Sequence, residues 1–263
     1  SCRYCGSSFS STKTSEGIFS SFGLWFDDKN VFWQNVQDTF AYQNGAYTRW
    51  LFNTIMYAAV AGVGATIIAT FAGYAIATMR FPGRNALLAV TLAFMSIPST
   101  VITVPLFLMY SKIGLVGTPW AVIIPQLATP FGLYLMIIYA QTSIPVSLIE
   151  AAKLDGASTW TIFWKVGFPL LSPGFVTVLL FTLVGVWNNY FLPLIMLSDT
   201  NDYPLTVGLN MWLKMGAQGT ANGQVPNNLI ITGSLIAVVP LIIAFMFLQK
   251  YWQSGLAAGS VKQ

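Results

Sequence analysis

The residues of this chain that could do chemistry gather in two polar islands. The first, Thr142–Pro173, reads TSIPVSLIEAAKLDGASTWTIFWKVGFPLLSP and holds Glu150, Lys153, Asp155 and Lys165. The second, Trp187-Asn188-Asn189-Tyr190, sets two amides between two aromatic rings. Neither is a catalytic constellation. The 263 residues include no histidine, which removes a His general base, a His proton relay and His-based metal sites together. Cys2 and Cys5 form a CxxC without the second ligand pair that a structural zinc needs, so no metal or role is assigned to them. No GxxxxGK[ST] occurs, so the chain does not cradle nucleotide phosphates in that way. What the islands offer is recognition. Charges beside small residues suit the surface of another protein, and amides beside ring faces suit a polar solute.

The elements that must position these islands are membrane helices. Hydrophobic residues make up 55% of the chain and charged ones only 8%, against roughly 25% charged in soluble domains. Apolar segments of spanning length run 51–78, 86–109, 119–140, 173–196 and 229–248, and none contains Asp, Glu, Lys or Arg. An all-α, multi-pass protein with about five transmembrane helices is expected. Without intramembrane charges, a carrier driven by its own proton relay is disfavoured, and so is a membrane-embedded enzyme.

Connector charge gives an orientation. Arg80, Arg84, Lys153, Lys165, Lys250 and Lys262 fall in three alternate connectors, whereas the opposite short loops hold only Lys112 and Lys214. The positive-inside rule then places 141–170 and the tail 252–263 in the cytoplasm and the N-terminus outside. Residues 1–48 contain no signal peptide and no spanning helix to carry them across, and the chain begins without Met, so a lost preceding helix and a six-helix parent are expected. Their aromatic residues, among them Trp25, Trp33, Tyr47 and Trp50 just beyond, suggest an interfacial arm. Residues 49–251 form the membrane domain. Within it, Pro98 with Pro105 and Pro125 with Pro130 should kink helices, either for packing or to line a pathway.

Locally, Ser143 could cap a helix starting near Pro145 that runs through Glu150-Ala151-Ala152-Lys153 and stops at Asp155-Gly156, with Gly156 left-handed. Ser158 would cap a second helix to about Val166, and Pro169 would begin the return to the membrane. Two readings of this helix–turn–helix stand side by side. Ala151 and Ala152 could let a partner approach closely, or Trp160, Phe163 and Trp164 could rest the loop on lipid headgroups.

Glu150-Ala151-Ala152, Gly156 and Phe168-Pro169 resemble the EAA loop of ABC-importer permeases. Ile144-Pro145, Leu154-Asp155-Gly156-Ala157 and Pro169-Leu170-Leu171-Ser172-Pro173 resemble the carbohydrate-uptake branch and its maltose-permease-like second subunit. The similarity extends to Arg49-Trp50-Leu51-Phe52-Asn53-Thr54, Arg80-Phe81, Trp187-Asn188-Asn189-Tyr190-Phe191 and Gly255–Lys262, and Ser7-Ser8-Phe9 resembles a segment that in the family follows a further helix. The resemblance implies a type I ABC-importer permease fold, with six helices in the family, in a bacterial or archaeal cytoplasmic membrane. It also implies two ATPase subunits that bind ATP and Mg, a second permease and an extracytoplasmic solute-binding protein, with no cofactor on this chain and no nucleic-acid partner. Glu150, Ala151, Ala152, Lys153, Asp155, Gly156 and Pro169 are then the coupling residues. Trp187, Asn188, Asn189, Tyr190 and Pro98 are candidates for a carbohydrate path, with interhelical bonding of the amides as the other reading.

Overall fold

The computed structural model describes residues 11, 12, 31–218 and 225–260, with side chains as far as Gln249. Cys2, Cys5, Ser7-Ser8-Phe9 and the first part of the expected interfacial arm lie outside the described residues. The helices are α1 (Phe32–Thr78), α2 (Arg84–Met95), α3 (Ser99–Lys112), α4 (Pro119–Leu127), α5 (Pro130–Ser143), α6 (Val146–Leu154), α7 (Thr159–Ile162), α8 (Phe168–Trp187), α9 (Phe191–Met196), α10 (Leu205–Gln218) and α11 (Asn227–Ser260), with a π-helical turn at Phe163–Gly167. Among the described residues there is no strand. Four helices are long and apolar enough to cross a membrane, and a fifth span results if α2 and α3 count as one.

Two spans differ from expectation. The second is a pair bent by 101°, with Pro98 as the extended residue that opens α3; proline disfavours helix in the residue before it and supplies no N–H to continue the ladder. The fourth runs Thr159–Trp187 instead of 173–196. It accommodates Lys165 near its start, where a long side chain can reach the interface, and it ends where the Asn188 amide turns back onto the Val184 carbonyl. In α1 a break at Tyr42–Gly45, where Gln43, Asn44 and Gly45 all have positive φ, separates a first helical stretch from the one that contains the expected span 51–78.

The described chain clusters into two compact units. The first draws on segments up to Met56 and from Asn189 to Ile243, with Gly117–Pro119. Its core is aromatic: Tyr47, Trp50 and Trp212 are fully buried, the two indoles 5.0 Å apart. Each polar tip is satisfied, as buried Tyr and Trp require. Tyr47 Oη donates to Gly233 O, Trp50 Nε1 to Thr200 O and Trp212 Nε1 to Gln43 Oε1. Tyr47 and Trp50 are therefore core residues. Trp212 gives them a partner that no local reading could supply. The Trp212–Gln43 bond also holds the left-handed stretch in place.

The second unit comprises Tyr57–Val116, Trp120–Asn188 and the chain from Ala244. Its core joins Ala69 and Tyr74 of α1, Met136 and Ala140 of α5, Ile149 of α6, Phe163 of the π turn, and Leu171 and Val178 of α8. In lipid, helices associate through close packing and interhelical hydrogen bonds, and here Thr66 bonds Thr182 across α1 and α8 at 3.0 Å.

Candidate functional site

The first polar island folds on the second unit's core. Ser143 does not cap α6: α5 runs through it, Ile144 is buried and extended, and Pro145 is the N-cap with no side-chain bond. Proline has no N–H and a fixed φ, so it can open the helix without a polar cap. On α6, Ile149 is buried and Ala152 packs against the core, which turns Ser147, Glu150, Ala151 and Leu154 outward by the 3.6-residue period. Leu154 is 89% exposed and Val146 67%. A short helix thus shows water or a partner a ridge of one carboxylate, one alanine and two large aliphatic groups, with Lys153 also exposed.

The helix ends in a Schellman motif. Ala157 N–H bonds Ala152 O and Gly156 N–H bonds Lys153 O, each at 3.0 Å, with Gly156 at φ +77°. Ala152 and Ala157, the two residues whose apolar contact accompanies this motif, both pack on the core. Ala152 therefore works within the chain, and only Ala151 of the pair is exposed. Asp155 is the C-cap and is exposed.

Ser158 does cap α7, accepting from Thr161 N–H at 3.2 Å. The second helix does not stop near Val166. It passes through the π turn, where Phe168 N–H bonds Phe163 O five residues back, and continues as α8. The wider turn makes room for Pro169 in α8's first turn. Phe163 is buried between Phe71 (4.8 Å) and Tyr74 (5.0 Å) of α1, and Trp160 stacks on Phe71 at 5.8 Å. Trp160 and Trp164 stay largely exposed. The loop is thus anchored to α1 and α5 and is continuous with α8.

The second island is divided. Trp187 and Asn188 close α8 in the second unit, where Asn188 is exposed, its Nδ2 donating to Val184 O at 2.9 Å. Asn189 and Tyr190 belong to the first unit. There Asn189 Oδ1 accepts from Leu192 N–H at the start of α9, Asn189 O accepts from Thr206 Oγ1, and Tyr190 Oη donates to Asn210 Oδ1. Pro98 is exposed at the α2–α3 bend of the second unit.

A family model described as binding-protein-dependent transport system inner membrane component matches residues 65–257. The chain belongs to this family. It is a permease subunit of the ABC-importer type. An arabinooligosaccharides transport system permease of Halalkalibacterium halodurans is 32% identical over 86% of this chain and 79% of its own length. An osmoprotective compounds uptake permease of Synechocystis is 32% identical over 97% and 85%. A crystal structure of a bacterial ABC transporter involved in import of the acidic polysaccharide alginate superposes with a TM-score of 0.80 at 23% identity, covering 94% of this chain and 89% of that one. The fold is that of ABC-importer permeases.

Sequence reasoning missed what seats the permease loop. Phe71 and Tyr74 lie in an apolar run with no local sign that they receive Phe163. The close approach at Gly167, where an added Cβ would lie 2.7 Å from the Tyr74 ring, is equally silent in one sequence. The spacing Tyr74, Phe163, Phe168 becomes informative only once α1 and α8 are known to pack.

Proposed function

We propose that this permease moves a carbohydrate delivered by a solute-binding protein, and that the exposed ridge of α6 takes up the motion of a separate ATPase. The carrying observation is the ridge itself. A family-matched segment presents Glu150, Ala151 and Leu154 outward while its turn is locked by the Schellman bonds and its back is packed. An isolated helix of nine residues would be marginal, so the anchoring makes it a rigid lever. Coupling by rigid-body movement of packed elements needs such a piece. In this reading ATP and Mg sit on two ATPase subunits, a second permease completes the membrane pore, and 141–170 and the C-terminus face the cytoplasm with the N-terminus outside.

Reversing the exposed charge tests the docking. Glu150→Lys should weaken retention of the ATPase by about tenfold or more at physiological salt, since about 1.4 kcal/mol is tenfold and a like-charge contact at an interface costs at least that. The complex is purified through the companion permease, and the ATPase recovered is quantified. Unchanged recovery and unchanged salt dependence would remove Glu150 from the interface.

Carbohydrate is favoured by the arabinooligosaccharide relative and by the amide and ring chemistry at 187–190. The relative named for osmoprotective compounds supports a second reading, a different polar solute on the same machinery. Among the candidates, Asn188 is supported by its exposure and by an amide of which only Nδ2 is engaged, by its own helix. Asn188→Ala should raise the solute concentration for half-maximal transport several-fold with assembly unchanged, one lost solute hydrogen bond being worth about 1 kcal/mol. Transport by reconstituted complex over a panel of oligosaccharides and small osmolytes separates the two solute classes. An unchanged concentration dependence would take Asn188 out of the path.

A further inference from the structure

The second unit contains a groove of about 330 Å³ beside the α4–α5 break. Ile68 and Ala72 of α1 line its base above the buried Ala65 and Ala69, Val90 and Phe94 of α2 make one wall, and the break at Leu127–Pro130 makes the other. Alanines at i, i+4 and i+7, the first two already covered, put no large side chain of α1 into the space beside them. The hydroxyls at its edge are occupied. Thr91 Oγ1 donates to Leu87 O at 2.8 Å, and Thr129 Oγ1 accepts from Gly132 N–H at 3.2 Å. Each hydroxyl already makes one bond and the rest of the lining is hydrocarbon, which suits a hydrocarbon chain better than a sugar.

The end of α2 beyond this groove carries a cation. Arg84 opens α2, and Val90 and Phe94 follow six and ten residues later, about 9 to 15 Å along the axis. Thr91 lies on the same stripe as Arg84, two turns on. The guanidinium has five N–H donors. Its Nη2 donates to Ala77 O across 3.4 Å, and its Nε is buried without a hydrogen-bond partner. Arg80 adds a second positive charge in the same connector, and the sequence has no carboxylate between Asp38 and Glu150. An under-engaged cation above an apolar trough in a membrane-spanning unit matches an anionic headgroup above an acyl chain.

We propose that this groove holds one acyl chain of an anionic bilayer phospholipid, whose phosphate is bound at Arg84. The inference requires only that the unit spans a bilayer and is independent of the solute. The groove lies on α1, α2 and the α4–α5 break, so an occupied groove would wedge the very helices on which the loop is anchored.

The test uses the assembled importer in nanodiscs containing phosphatidylglycerol or phosphatidylcholine that bears a photoactivatable group in mid-chain. Labelled peptides are identified by mass spectrometry. The phosphatidylglycerol probe should label 84–95 and 127–133 about fivefold more than the phosphatidylcholine probe, the factor expected for one basic contact at a membrane surface. Arg84→Gln should abolish that preference while phosphatidylcholine labelling persists. Ala128→Phe, at an exposed position on the groove wall, should reduce labelling by both lipids in a complex that still assembles. Equal labelling by the two lipids, labelling that survives Ala128→Phe, or cross-links from α2 to the companion permease in place of lipid would each overturn the proposal.

Discussion

Gly156→Val is expected to lower solute-stimulated ATP hydrolysis and transport several-fold in the reconstituted complex while the subunits still assemble. The reason is backbone conformation and not crowding. Gly156 has φ +77°, and a Cβ added there would meet nothing within 4 Å. An L-residue in the left-handed region costs about 1–2 kcal/mol, and a β-branched one is a true outlier there. Leaving that region breaks the Ala157–Ala152 and Gly156–Lys153 bonds, worth about 1 kcal/mol each. Shifting to an ordinary conformation is therefore a close contest with keeping the turn, and a lever whose angle is no longer fixed transmits little. Gly156→Asn provides the control, since asparagine has a volume close to that of valine yet tolerates positive φ. It should retain most of the activity. Full coupling in Gly156→Val, or equal loss in both variants, would show that the left-handed turn is not what matters.

That turn was legible from Asp155-Gly156 and Ser158 because capping is local chemistry: the residues that decide it are within four positions of one another. The membrane class was legible for a different reason, the scarcity of charge over whole segments. The misreadings share one cause. Trp50 looks interfacial until Trp212 is brought against it, and the helix ending at Trp187 looks continuous because apolar residues flank Asn188 and Asn189 on both sides. Periodicity registers the average polarity of a segment, whereas its end is set locally, here at Asn188, whose backbone and side-chain N–H groups both bond Val184 O. Ser143 failed as a cap because Pro145 made a cap unnecessary. The paired alanines are adjacent in sequence, but the helical period sends Ala152 to the core and Ala151 outward. Pro98 did announce a break, but its 101° angle depends on packing around it.

The largest effect on stability should come from a change that helix propensity alone would call favourable. Gly208→Ala in α10 would gain about 0.5–1 kcal/mol from reduced backbone entropy and better propensity. Against this, the new Cβ would lie 2.2 Å from two ring carbons of Trp50 and 2.6 Å from a third. The indole is not free to swing away: it is 1% exposed, packed 5.0 Å from Trp212, and tied through Nε1 to Thr200 O at 2.8 Å. Moving α10 outward instead withdraws Trp212, which lies one turn along the same face. Overpacking of a rigid core costs about 1–3 kcal/mol and sometimes more, and with both escapes blocked the upper end applies, so the steric term wins. A net loss of about 2 kcal/mol or more should lower the unfolding midpoint by roughly 5 °C, read as monodisperse complex remaining after heating. Trp50→Leu, which removes the clashing ring, should be destabilising by itself through a cavity and a lost indole bond, yet the double variant should be more stable than the sum of the two losses by about 1 kcal/mol or more. Strict additivity would mean that Gly208 and Trp50 do not constrain each other. A Gly208→Ala variant as heat-resistant as the parent would mean that the aromatic core of this unit yields where its packing says it cannot.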